Sequence, residues 1–354
     1  PEVGMFKADW SLPEPTQDKY SESLLSGATS FGDTAVVTIA RSGGEGFDLP
    51  RDVNAETSNY PYFSYTNNSD EYADFEDGQG YLELTRPEKD MIELAKQTSD
   101  KTVVVINAAN AFELGDLQDD PEIDAIVWAI PGGQVGFNAL GRILDGEVNP
   151  SAETPDTFAR DIKSGPAANN FGDFQYTSMT EFAQDDPFNK GTQTQPSFVN
   201  DNDSIYVGYR WYETAAAEGV IDYASEVVYP FGFGLSYTTF SQSMGDISVD
   251  EASGAMTADV TVTNTGQVAG KDVVQIYDNP PYTDGGIEKA AANLLSYEKT
   301  KLLEPGETQT ITVTWNRDSL ASYDAKDAKA YVLEAGNYKI SARANSHELR
   351  DKRR

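Results

Sequence analysis

Three runs of residues leave this chain few ways to fold. Residues 34–41 (TAVVTIAR), 101–108 (KTVVVINA) and 123–130 (IDAIVWAI) are apolar almost throughout rather than alternating. Such runs read as strands of a parallel sheet covered on both faces, because a strand with one wet face alternates with period two. Helix signals lie between them. Thr85 can cap a helix whose first turn holds Pro87 and whose Glu88 completes a capping box. The next turns are expected to point Met91, Leu94 and Ala95 inward, and a second helix is expected over residues 135–144. Alternating strands and helices require right-handed crossovers, so residues 34–160 are predicted to form an α/β parallel-sheet domain.

Beyond Pro230 the texture changes to short alternating runs at residues 256–264, 272–278, 308–315 and 337–343. Turn signals at Asn264-Thr265-Gly266, Pro305-Gly306 and Ala335-Gly336 separate them. This spacing predicts an all-β, immunoglobulin-like antiparallel sandwich over residues 236–346. Residues 161–235 are rich in Asn, Asp, Gln, Pro and aromatics and read as an ordered connection packed on the α/β domain. Residues 1–33 are expected to be an N-terminal extension or the remnant of a preceding part, and residues 347–354 a frayed tail.

Composition removes several functions. The 354 residues carry 26 Lys plus Arg against 58 Asp plus Glu, a net charge of −32, which repels phosphate backbones and anionic lipid and excludes nucleic acid as the expected partner. A neutral substrate such as a sugar fits this field better than an anionic one. Cysteine is absent and His347 is the single histidine, so thiolate chemistry, a Ser-His-Asp triad and a His-based metal site are excluded within the chain. Acid and base work falls to carboxylates, Lys or Tyr. No run approaches the roughly 18 to 20 apolar residues of a membrane span, so a soluble protein without a membrane partner is expected. Cytoplasmic and secreted locations are not distinguished, and a homo-oligomer is left open.

The first apolar run leads straight into Ser42-Gly43-Gly44-Glu45-Gly46-Phe47-Asp48. Ligands of parallel sheets bind outside the carboxyl ends of the strands, and glycines there let backbone approach a substrate. Glu45 is therefore the candidate for chemistry; the plainer reading is a strand-to-loop turn with a solvated Glu. Other constellations carry less. Gly132-Gly133-Gln134-Val135-Gly136 does not fit a dinucleotide fingerprint, and no Walker lysine follows. Residues 70–77 (DEYADFED) fail EF-hand spacing and read as a solvated acidic loop, with no metal assigned. Tyr209, Trp211 and Tyr212 beside Arg210 could stack on a sugar, although aromatic clusters more often fill cores.

Taken together, several segments resemble glycoside hydrolase family 3, the β-glucosidase and β-xylosidase family. Arg41 to Asp48 is similar to its serine-glycine-glutamate-glycine segment. Gly146-Glu147-Val148-Asn149-Pro150-Ser151 followed by Pro155-Asp156-Thr157-Phe158 is similar to the close of its α/β domain. Residues 206–212 (YVGYRWY) resemble the family's YxGYRyY run and residues 229–240 (YPFGFGLSYTTF) its entry into a fibronectin type III-like domain, and Asn264-Thr265-Gly266 with Gly270 fits the body of that domain. The chain departs from the pattern at Ser151-Ala152-Glu153-Thr154-Pro155, where the family usually has Ser-Gly-Arg/Lys-Leu-Pro, and at Asn200-Asp201-Asn202-Asp203.

The resemblance implies that the α/β parallel-sheet domain is a sandwich domain, incomplete at its N-terminus. It also implies a retaining hydrolase of terminal β-linked glucose or xylose, working without a cofactor, with Glu45 as general acid/base. Ser42, Gly44 and Asp48 are then candidates for substrate binding. The β/α barrel that supplies the nucleophilic Asp in this family is not among these residues, and Ala8-Asp9-Trp10 is only superficially similar to its Asp-Trp. No nucleophile is assigned here. The expected partners are a β-linked oligosaccharide or glucoside and a barrel domain of the same parent chain or a partner chain, and the isolated chain is expected to be inactive. The competing reading is a non-catalytic carbohydrate-binding or assembly module.

Overall fold

The structure is a computed structural model that describes residues 8–9, 13–43, 49–56, 63–170, 176–185, 191–198 and 201–353. The chain crosses between two units: residues 1–137 and 159–202 make the first, and residues 138–158 and 203–354 the second.

The first unit holds a parallel sheet of three strands, β1 (Thr34–Ala40), β2 (Lys101–Asn107) and β3 (Ala125–Ala129), in that order. Thr34 pairs with Lys101 and Ala40 with Asn107, then Val103 pairs with Ala125 and Asn107 with Ala129. Only the central strand meets the both-faces-covered expectation. Val104, Val105 and Ile106 of β2 are fully buried, whereas β1 buries Val37 and Ile39 and leaves Val36 half exposed. Helix α1 (Arg86–Thr98) crosses from β1 to β2 and packs on both. Its start is the expected capping box: the Thr85 side chain accepts from Glu88 N, and Glu88 Oε2 accepts from Thr85 N at 2.8 Å. Beyond Pro87 and Glu88 of its first turn it buries Ile92 and Ala95, while Met91 and Leu94 are half-buried, a rotation of the inward face from that expected.

Two further expectations for this unit change. The loop over residues 70–77 is not simply solvated, because Asp74 and Phe75 are buried: the Asp74 carboxylate accepts from Tyr65 OH at 3.0 Å and Asn68 N at 3.1 Å. The glycines at 132–136 serve a turn. Gly136 N donates to Gly132 O at 2.8 Å, and a Cβ on Gly136 would fall 2.4 Å from that oxygen. Helix α2 (Phe137–Leu144) follows, and from Asn138 on it belongs to the second unit.

The second unit is antiparallel. Helix α3 (Tyr209–Ala217) precedes β4 (Phe240–Val249), β5 (Ala255–Asn264), β6 (Val273–Asn279), β7 (Asn293–Lys299) and β8 (Thr308–Asn316). A hairpin of β9 (Ser322–Asp324) and β10 (Ala330–Val332) comes next, then β11 (Lys339–Arg343) and β12 (Leu349–Arg353). One sheet runs β4-β5-β8 and the other β7-β6-β11-β12. Their inner faces share a core that includes Met244, Val260, Val262, Val274, Ile276, Val313, Trp315 and Ile340, so the sandwich is as expected. β12 corrects the frayed tail: Ile340 pairs with Arg353 and Arg343 with Leu349. Arg350 ties it down by donating to Phe240 O at 3.0 Å.

Apart from Arg41 to Asp48, the segments that carried the resemblance are stitched together in this unit. Asn264 is fully buried with every side-chain hydrogen-bonding group used: Oδ1 accepts from Thr238 Oγ1 and Gly266 N, and Nδ2 donates to Val268 O and Leu303 O. Asn149 Oδ1 accepts from Ser236 Oγ and Tyr237 N, while its Nδ2 donates to Ala269 O. Tyr209 fills core space. Its ring stacks on Phe231 at 4.7 Å, and its hydroxyl accepts from Leu294 N at 2.8 Å. Among the described residues no helix is long and apolar enough to cross a membrane.

Candidate active site

The ladder of β1 does not stop at Ala40, because Arg41 N donates to Asn107 O at 3.1 Å at the carboxyl end of the sheet. Arg41 is itself buried there, which is costly unless each of its donors is met. All five N–H groups are met. Nη1 and Nη2 make a fork to Glu88 Oε1 and Oε2 at 2.5 and 2.6 Å; Nη1 also reaches Ala40 O, Nη2 Glu83 O, and Nε Tyr81 O. The rings of Phe75, Tyr81 and Phe112 surround the guanidinium at 5.8, 5.6 and 5.3 Å from their centroids. Burial works to lower the Arg41 pKa, but the Glu88 carboxylate wins and holds it above its ordinary value.

Tyr81 joins this anchor to the loop on both sides of Glu45. Its carbonyl accepts from Arg41 Nε at 2.8 Å, its hydroxyl lies 3.2 Å from Ser42 Oγ, and its N–H donates to Pro50 O at 2.9 Å. Leu49 packs with Tyr65 against the buried cluster of Val53, Phe75 and Tyr81. The two stems also meet each other: a Cβ on Gly43 would lie 3.3 Å from Leu49 Cδ1 and 3.1 Å from Asn110 Oδ1. One buried tyrosine thus fixes where the chain leaves the sheet and where it returns.

Of the residues singled out in the sequence, Ser42 is half-buried against Tyr81, while Gly44, Glu45 and Asp48 lie outside the described residues. Asp9 pairs in a two-residue parallel bridge with Ser64. Sequence reading missed Glu88 as a partner of Arg41, because a capping box accounts for it locally, and missed Tyr81, which no local pattern marks. It also passed over Asn107, whose Oδ1 is buried at the end of β2 without a partner. A further carboxyl, that of Glu113, is pushed up to about 7 by burial, with Ile162 N–H opposing at 2.9 Å and pinning it in a structural contact. Among the described residues no group of three His, Cys, Asp or Glu side chains could hold a metal ion.

With this geometry in place, comparison with known proteins gives a class. The glycosyl hydrolase family 3 C-terminal domain matches residues 25–237, and a fibronectin type III-like domain matches residues 272–346. The chain belongs to glycosyl hydrolase family 3, as the C-terminal domain of that family followed by the fibronectin type III-like domain. Beta-glucosidase A of Butyrivibrio fibrisolvens is 34% identical over 90% of this chain and 36% of its own length. A beta-glucosidase of Ruminococcus albus is 31% identical over 91% of this chain and 28% of its own. Among solved structures, beta-glucosidase 3B from Thermotoga neapolitana in complex with glucose matches 99% of this chain and 41% of that one at TM-score 0.71 and 27% identity. The chain thus spans between 28% and 36% of the length of these two curated relatives.

Proposed function

We propose that this chain supplies the general acid/base of a retaining β-glucosidase, with Glu45 as that residue and a nucleophilic Asp contributed by a barrel domain outside these residues. The observation that supports this most is the double anchorage at Tyr81 of the stems that carry Glu45. A proton donor in glycoside hydrolysis must be held against a second carboxylate about 5 to 5.5 Å away, and a loop fixed at both ends meets that demand. Membership of glycosyl hydrolase family 3 and the beta-glucosidase names of the relatives fit the same reading.

In the first half of the reaction the Asp of the barrel attacks the anomeric carbon while Glu45 protonates the departing glycosidic oxygen. In the second half Glu45, now ionised, takes a proton from water as that water displaces the nucleophile. The negative charge of the nucleophile and desolvation under the sugar raise the Glu45 pKa for the first role, and loss of that charge on glycosylation lowers it for the second. Ser42 has its hydroxyl against Tyr81. That contact helps to set the loop, and Ser42, Gly44 and Asp48 are the candidates to meet the sugar.

The test is hydrolysis of β-glucosides by the isolated chain and by the barrel-containing protein, each with and without Glu45→Gln. The isolated chain is expected to be inactive, and the full-length variant to lose about 10²- to 10⁴-fold on alkyl β-glucosides. The loss should be much smaller for the glycosylation step of dinitrophenyl β-glucoside, whose leaving group needs little protonation. Turnover by the isolated chain, or a full-length variant equally active on both substrates, would remove the assignment.

A further inference from the structure

A cavity of about 320 Å³ opens within the second unit, between α3, β6, β7 and the β9-β10 hairpin. That volume stands at the small end of the roughly 300 to 1,000 Å³ typical of small-molecule sites. Two opposite charges line it with part of their hydrogen-bonding capacity unused. Asp278 is only 1% exposed, and its Oδ1 has no partner although the Asn293 side chain bonds the carboxylate. Arg210, from α3, lines the same cavity with its Nε buried and unpartnered. Burial pushes the Asp278 carboxyl up to about 7, as expected of a charge whose partners are incomplete. A buried acceptor and a buried donor left without partners on two residues of one lining destabilise the fold unless something completes them.

The remaining charged groups of the lining already have hydrogen-bond partners. Lys289 Nζ donates to Pro281 O at 2.7 Å and pairs with Glu334, and Glu288 accepts from the Tyr206 hydroxyl. Tyr323 and Tyr331 face each other across the hairpin with ring centroids 5.4 Å apart at 69°, and both line the cavity while remaining 45% and 75% exposed. A cross-strand tyrosine pair can exist for the hairpin alone. Beside a polar cavity it also offers an aromatic face to the C–H side of a ring.

These features select a ligand class. Asp278 and Arg210 offer the lining an acceptor and a donor rather than a one-signed surface, and the net charge of −32 repels anions. The open groups ask for neighbouring hydroxyls, which donate to one and accept from the other. We propose that this cavity binds a neutral polyhydroxylated ring of monosaccharide size, a saccharide site in the unit that does not carry Glu45. The site does not depend on the hydrolytic reading; loss of activity in Glu45→Gln leaves it untouched.

The experiment titrates the isotope-labelled 354-residue chain with glucose, methyl β-glucoside and myo-inositol, following backbone amides by NMR, with inorganic sulfate as the anionic control. Saturable millimolar shifts are expected at Asn293, Leu294, Ala321 and Ser322, unchanged by Glu45→Gln. Tyr331→Ala, an exposed change that leaves the core alone, should weaken binding about two- to tenfold, and Asp278→Asn should weaken it further. The proposal is overturned if no sugar or polyol gives saturable shifts, or if the shifts fall only elsewhere. Affinities that survive both substitutions, or sulfate binding more tightly than the neutral probes, overturn it equally.

Discussion

Arg41 in the first unit and Glu153 in the second are both ionisable side chains drawn away from water, and they are equipped very differently. Every donor of Arg41 has an acceptor, two of them on an opposite charge. Glu153 has Gln275, whose Nε2 donates to Glu153 Oε2 and also to Gly232 O and Ala344 O, but Asp272 stands near it as a like charge. The first arrangement suits a residue that must be charged at every working pH. The second leaves a carboxyl that prefers its proton, pushed up to about 8 by burial and then by Asp272.

The largest expected effect comes from Arg41→Met. Removing one partner of a buried pair strands the other, at a cost of about 3 to 5 kcal/mol. Urea unfolding of the chain should show that loss. The double variant Arg41→Met/Glu88→Gln should recover part of it, since no lone charge then remains. A single-variant loss below about 1 kcal/mol would mean the fork is a surface-like pair, and the contrast with Glu153 would fail.

How far these sites could be read in the sequence follows from the separation of their parts. The helix start at Thr85 and Glu88 is legible because capping needs only three residues of context. The second duty of Glu88, toward a residue 47 positions earlier, has no local mark. β2 is legible because burial on both faces leaves an unbroken apolar run, whereas β12 reads as a polar tail because an edge strand tolerates charge. β4 was passed over for a related reason: its register shifts between Met244 and Ile247, breaking the alternation that a pattern search relies on. The motifs that signalled the family are a different matter. Asn149, Asn264 and Gly266 are tied to one another's segments by hydrogen bonds, so they record packing needs of the second unit rather than chemistry.

A smaller effect is expected at Glu153, and its sign is fixed by the direction of the shift. An unfolded carboxyl of this kind titrates near 4.5, so between about 4.5 and about 8 the folded chain keeps a proton that the unfolded chain has lost. The stability due to this site is whole below that window and falls as pH rises through it. Glu153→Gln should therefore flatten the pH dependence of thermal stability between pH values at the two ends of the window, by on the order of 2 kcal/mol. Unchanged slope would show that Lys299 and Arg350, which oppose the shift, already neutralise the carboxylate and that the two units treat charge alike.

His347 sharpens the comparison from the other side, since it is a surface group recruited to a buried charge. Glu213 is buried; Ser346 Oγ donates to its Oε1 at 2.9 Å, and His347 Nδ1 lies 3.0 Å from its Oε2. The imidazole stacks on Tyr223 at 3.7 Å, which holds it in place. The hydrogen bond to Glu213 raises the His347 pKa above 6.5 against partial burial. A raised histidine stabilises the fold fully below its unfolded value, and that contribution is lost as pH rises through the raised one. Because His347 is nearly half exposed, the effect should stay under about 1 kcal/mol. The chain has one histidine, so a single imidazole resonance reports it directly. An apparent pKa above 6.5 that returns to the ordinary value in Glu213→Gln is the expected result. A resonance that titrates the same way in both proteins would show that His347 is not coupled to Glu213, leaving Ser346 and the neighbouring Arg343 to meet the buried carboxylate.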